Sequence, residues 1–148
     1  MRLPGDWRLS EAAIRRPRRR RGAGEKVILV DTSVWIDHLR KSEARLHDLL
    51  LNEDVVTHPF VRLELALGSI AQREKVLSDL ALLPHVPVAG TEELFGLLEL
   101  RRLYRRGIGI TDLHLAASAL FDSSIKIWTR DRRLGEIANE LRIRAAIA

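Results

Sequence analysis

The stretch Lys26–Val27–Ile28–Leu29–Val30–Asp31–Thr32–Ser33 decides how the rest of the chain is read. Lys26–Val30 is a short continuous apolar run, which predicts a central parallel strand buried on both faces. Asp31, Thr32 and Ser33 then supply helix-capping residues, and Trp35, Ile36 and Leu39 give the following helix an apolar side.

Downstream the alternation continues. Glu43–Leu51 reads as a helix and Asp54–Thr57 as a second strand. Pro59, suited to a first helical turn, opens a helix to about Gly68. Gln72–Leu83 repeats the helical pattern through Val76, Leu77, Leu80 and Leu83. Val86–Pro87–Val88 is restricted to an edge strand, because proline donates nothing to a ladder. A helix from Thr91 to about Tyr104 precedes the breakers Gly107 and Gly109, and another runs from Thr111 to Phe121. Ile125–Trp128 is a strand, Leu134, Ile137, Ala138 and Leu141 mark the last helix, and Ile143 starts a short final strand. Strands separated by helices imply an α/β fold in three α/β/α layers around a parallel sheet of four to five strands, joined by right-handed crossovers. Ligands of such sheets lie beyond the carboxyl ends of the strands, where strand order reverses.

With 148 residues, 46% hydrophobic and 30% charged, the chain holds one core. No apolar run approaches the roughly 20 residues of a membrane helix. The absence of cysteine excludes disulfides and thiolate metal sites, and it suits a reducing compartment, the cytoplasm. The net charge of +5 misleads, since residues 1–26 carry nine Lys/Arg against three Asp/Glu, leaving sixteen against seventeen over 27–148. That basic N-terminal arm, with its arginine run 15–21 and Gly22–Ala23–Gly24, is expected to be disordered. It reads either as a nucleic-acid tether acting by counterion release or as an artefact of gene-start assignment, Val27 being initiated through a GTG codon. The second reading is favoured, and 27–148 is the folded domain.

Four acids stand out. Asp31 and Asp131 follow the first strand and the Ile125–Trp128 strand, so both would project into the crevice, although taken singly each also suits an N-cap. With Phe60 at zero on a helical wheel, Leu63, Leu67 and Glu64 fall at about 300°, 340° and 40°, which places a carboxylate inside an apolar arc. Arg62 faces the other way. Asp112 sits likewise among Leu115, Ala119, Ala116, Leu120 and Leu113, with His114 and Ser118 facing away. The bland alternatives are a first-turn charge backed by Thr111 as cap for Asp112, and a buried arginine pair for Glu64. An unpaired buried carboxylate costs several kcal/mol or stays protonated, so it calls for a cation. Acids from four segments, without cysteine, point to a hard divalent ion, Mg²⁺ or Mn²⁺, and to phosphodiester hydrolysis.

Other chemistries find little support. His38, His47, His58, His85 and His114 are scattered without metal-ligand spacing and read as surface or edge residues. Neither a P-loop nor GxSxG is present. Trp35 and Trp128 are expected to pack on the sheet, and Asp37 to be solvated. Arg101, Arg102, Arg105, Arg106, Arg130, Arg132 and Arg133 read as a solvated face, becoming phosphate clamps if they flank the acids.

The ordered set Val27–Asp37, Glu64 within Val61–Leu65, Gly109–Ala117 and Trp128–Thr129–Arg130–Asp131 resembles a PIN domain, and more narrowly the VapC toxins of bacterial toxin–antitoxin pairs. The resemblance covers essentially all of 27–148. It implies a homodimeric Mg²⁺-dependent endoribonuclease that cuts RNA, paired with a VapB-like antitoxin. Carried over position by position, Asp31, Glu64, Asp112 and Asp131 match the family's catalytic acids. Asp31 and Asp112 match direct metal ligands, Glu64 a ligand or water-orienting group, and Ser33 and Thr129 supporting hydroxyls. One departure is Arg132–Arg133–Leu134, where the family often continues with Asp–Phe. A haloacid-dehalogenase-like phosphatase is weakened by Ser33, where a second acid is required. An RNA-processing PIN nuclease outside a toxin pair and a catalytically silent binding module remain as alternatives.

Overall fold

A computed structural model describes residues 26–147; the expected N-terminal arm, apart from Lys26, lies outside the described residues. The elements run β1 (Val27–Val30), α1 (Thr32–Arg40), α2 (Ala44–Leu51), β2 (Val55–Val56), α3 (Pro59–Leu67), α4 (Arg73–Ala81), α5 (Thr91–Arg101), α6 (Ile110–Phe121), β3 (Ile125–Trp128) and α7 (Arg132–Glu140).

β1 is the middle of a parallel sheet of order β2–β1–β3. Ile28 pairs with Val55, and the four residues of β1 pair in register with Ile125–Trp128. All four β1 side chains are buried. Since successive side chains point to opposite faces, both faces of the sheet are covered, as the unalternating apolar run predicts.

Three strands form among the described residues, and the outer two expected strands shrink to single bridges, Thr57 with His85 and Ile127 with Arg144. The reason at the first edge is chemical. Thr57 N–H donates to the Pro84 carbonyl and Val86 N–H to the Thr57 carbonyl. The next bond in that register needs an amide hydrogen on residue 59, which is a proline and the first residue of α3. At the other edge, Ile127 exchanges one pair of bonds with Ile143 and Ala145.

The main core joins the sheet to α1, α2, α3, α4, α6 and α7 through residues such as Leu29, Trp35, Leu46, Val61, Leu80, Leu115, Ile127 and Leu134. Trp35 and Trp128 both belong to it. A smaller cluster of Leu94, Leu103, Leu113, Ala117 and Ile137 ties α5 to α6 and α7. α5 ends at Arg101, short of the expected Tyr104, because Arg102 takes a left-handed φ of 53° and closes the helix. Gly107, at φ 76°, is the one residue type at ease there. A Cβ on it would lie 2.6 Å from the Arg133 guanidinium.

Candidate active site

β1 and β3 end side by side, and the backbone carries Asp31 and Thr129 just past their carboxyl ends, where the strand order turns to β2 on one side and β3 on the other. Asp31 N–H donates to the Trp128 carbonyl at 2.9 Å, extending the ladder one residue into the site. Its carboxylate is the N-cap of α1, with Oδ1 accepting from Thr32 N–H at 2.8 Å. Oδ2 accepts from the hydroxyls of Ser33 (2.8 Å) and Thr129 (2.7 Å). Each hydroxyl is itself held by a main-chain donor, Ser33 Oγ by Arg130 N–H at 3.1 Å and Thr129 Oγ1 by Asp131 N–H at 3.0 Å. Ser33 and Thr129 thus occupy the supporting places expected of them. Asp31 is only 5% exposed, and these bonds offset its desolvation. A carboxylate offers about four lone-pair directions. Three are taken by groups of the chain itself.

Glu64 sits on α3 and is exposed, which corrects the expectation of a carboxylate on a buried apolar arc. The covered side of α3 is centred on Val61 and Leu65, while Leu63 and Leu67 are 56% and 87% exposed. The wheel located an apolar arc, but α1, α4 and α6 cover a different part of the helix. Arg62, expected to face away, is only partly exposed and reaches the His85 ring nitrogen at 2.9 Å. Glu64 is nevertheless directed to the site, for its Oε1 accepts from Thr32 Oγ1 at 2.8 Å. Thr32 has the local signature of a capping residue alone, and its tether to an acid 32 positions later leaves no local signal.

Asp112 is in the first turn of α6, whose N-cap is Gly109 rather than Thr111; Asp112 Oδ2 accepts from Gly109 N–H at 3.0 Å. Burial pushes its carboxyl pKa up, against the lowering effect of the Gly109 bond, and repulsion from Asp31, Asp131 and Glu64 pushes it up further. Residues from β1, α3, α6 and the start of α7 therefore share one negative field. Asp131, like Glu64, is exposed, and it caps α7 through Leu134 N–H at 2.9 Å. Among the described residues no three Asp, Glu, His or Cys side chains are grouped closely enough to hold a metal ion together. The donor set is oxygen-only, open to water and short of positive charge, which fits a hard divalent ion that retains water and binds through one or two carboxylates.

Further corrections concern the surroundings. His38, His58 and His114 are buried rather than at the surface. His58 caps α3 through Phe60 N–H and lies against the rings of Phe60 and His114, while burial lowers its pKa to about 4. Burial likewise lowers His38 to about 4, with its Nδ1 accepting from Glu43 N–H. Ser118, expected outside, is buried and donates to the Pro87 carbonyl. Asp37, expected to be solvated, pairs with Arg130 at 2.6 Å, and Glu43 takes the other arm of the same guanidinium at 2.5 Å. That hydrogen bond from Arg130 holds Glu43 below the usual carboxylate range. Arg106 is likewise spent on Glu140.

Beyond the ends of a parallel sheet, a buried hydroxyl-braced aspartate and three further carboxylates define a class of metal-dependent hydrolytic folds, and the chain belongs to one of them, the PIN domain family, which matches residues 28–140. Nucleases of this family generally use a divalent metal ion. Among curated proteins the chain is similar to ribonuclease VapC32 of Mycobacterium tuberculosis, from two strains, at 49% identity over 108 residues, 73% of this chain and 87% of that protein.

Proposed function

We propose that the protein is the toxin of a toxin–antitoxin pair, a Mg²⁺-dependent endoribonuclease that hydrolyses RNA phosphodiester bonds at Asp31, Glu64, Asp112 and Asp131. The observation that carries the reading is the buried Asp31 carboxylate past the ends of β1 and β3, braced by Ser33 and Thr129, with Glu64 tied to its neighbour Thr32. The likeness to a named ribonuclease over most of both chains supports the substrate class. Asp31 and Asp112 are the direct metal ligands. Bound there, Mg²⁺ or Mn²⁺ supplies positive charge for a phosphoryl oxygen and a water of lowered pKa.

The chain's own residues do the positioning. Ser33 and Thr129 fix the Asp31 rotamer by gripping one oxygen, which would hold the carboxylate in one orientation for an ion. Thr32 holds one oxygen of Glu64, and the role of this carboxylate is to bind the ion or to orient the attacking water. Asp131 adds negative charge at the rim while anchoring α7. A VapB-like antitoxin is the protein partner, a homodimer the working form and the cytoplasm the compartment. Among the described residues no helix is long and apolar enough to cross a membrane.

The test is incubation of purified protein with RNA in Mg²⁺, in chelator, and as Asp112→Asn, together with expression in cells with and without a candidate antitoxin. Cleavage and growth arrest are expected for the native protein with Mg²⁺ alone. Cleavage that persists in chelator, or an equally active Asp112→Asn, refutes the mechanism.

A further inference from the structure

Residues 27–148 are nearly neutral and the four acids repel a polyanion, so a phosphate chain needs cationic side chains beside the centre. A cleft of about 450 Å³ meets that need, lined by Arg45, Arg130 and Arg144 with Glu43, Trp128 and Thr129. Thr129 belongs to both places, since its hydroxyl braces Asp31 and the residue lines the cleft.

The three arginines differ in what they have left to give. Arg130 is consumed by Asp37 and Glu43, a group of net charge −1, and lies over the Trp128 ring, 5.8 Å from its centroid, so it has no charge to spare for an anion. Glu43, the acid of the lining, is consumed in the same pair. Arg144 is exposed, and its guanidinium rests on Gly135 of α7, where a Cβ would lie 3.1–3.3 Å from its NH1, Cζ and NH2 atoms. Glycine inside a helix is unfavourable relative to alanine, and here the missing side chain makes the seat for that cation. Arg45 is exposed in the first turn of α2, an end where the helix dipole disfavours a cation and an arriving anion would relieve it. Arg144 gives one N–H to the Gly135 carbonyl and Arg45 is attracted to Glu43, but both guanidinium groups are exposed and keep further donors for an anion.

We infer that this cleft is a phosphate-binding subsite, in which Arg45 and Arg144 hold the backbone of single-stranded RNA next to the acid centre. The inference rests on the ribonuclease reading for the identity of the polyanion. Phosphate contacts of this kind position the strand without reading its sequence.

The test is fluorescence anisotropy of a labelled single-stranded oligoribonucleotide, in chelator, across a range of KCl, for the native protein, Arg45→Ala/Arg144→Ala and Arg45→Lys/Arg144→Lys. Two lost phosphate contacts weaken binding by about tenfold at low salt and flatten the slope of log affinity against log salt by roughly 1.4. The lysine pair keeps the charge and the slope. In Mg²⁺ the alanine pair raises KM and leaves kcat. Equal affinity and slope in all three proteins overturns the subsite, as does an alanine pair that loses affinity for an Asp/Glu-rich peptide and not for RNA. Arginine-dependent RNA binding without Mg²⁺-dependent cleavage refutes the nuclease reading alone, and cleavage with arginine-independent binding refutes the subsite alone.

Discussion

Thr129→Val tests whether the buried aspartate depends on its hydroxyl brace. Thr129 is buried, and its Oγ1 donates to Asp31 Oδ2 at 2.7 Å while accepting from Asp131 N–H at 3.0 Å. Valine keeps the branched shape, so the change removes two hydrogen bonds and little packing. A hydrogen bond to a charged group is worth about 1.5–3 kcal/mol. The Asp131 amide belongs to an exposed residue and finds water instead, adding little. Ser33 still donates to the same oxygen and prevents the larger penalty of an unpartnered charge. The expected loss is about 2–3 kcal/mol, or roughly 5–10 °C in Tm for a chain of this size. Urea and thermal unfolding of Thr129→Val and Thr129→Ser measure it, the serine variant keeping most of the native stability. Combining Thr129→Val with Ser33→Ala costs more than the two separate losses, because the second hydroxyl to go leaves Oδ2 bare. A Thr129→Val protein within about 0.5 kcal/mol of native stability would show that the brace contributes nothing.

Acid should destabilise the fold through its buried histidines. His58 and His38 are lowered from 6.5 to about 4, so between those values the unfolded chain binds protons that the native state does not. Stability is fully present above pH 6.5 and falls as pH drops toward 4, by at most ~3 kcal/mol for each histidine. Urea titrations of native protein and His58→Gln across that range check it, and an undiminished pH dependence in the variant counts against His58. Asp112 works in the opposite sense. Its pKa is raised, so the metal-free native state keeps a proton that the unfolded chain has released, and stability falls as pH rises above the ordinary carboxylate range. Asp112→Asn, which can still accept from Gly109 N–H, should melt higher than native protein in chelator at neutral pH and lose that gain in acid. A lower Tm for the variant under those conditions contradicts the repulsion.

Element positions were largely legible because each is governed locally. Four unbroken apolar residues ending in Asp31 are enough for a two-sided buried strand and a capped helix. The edge strands were only half legible, since Pro87 signals an edge but not that Pro59, which opens α3 just past the neighbouring strand, removes the next donor. The α3 wheel failed for a different reason. Its apolar arc is wider than the face its neighbours cover, so Leu63 and Leu67 stay outside and Glu64 with them. α6 is buried almost all round, which is why the outward placement of His114 and Ser118 did not hold.

The linear order of residues by itself determined the α/β class, the parallel central strand and which four carboxylates merit attention, because periodicity, caps and residue chemistry act over a few positions. Only the tertiary structure decided that Thr32 holds Glu64, that Ser33 and Thr129 grip Asp31, and that Arg130 is spent on Asp37 and Glu43. Those partners stand 32 to 98 positions apart, apart from the neighbouring Ser33. Their meeting is fixed by how the crossovers lay β2 and β3 on either side of β1, and no local pattern encodes that distance.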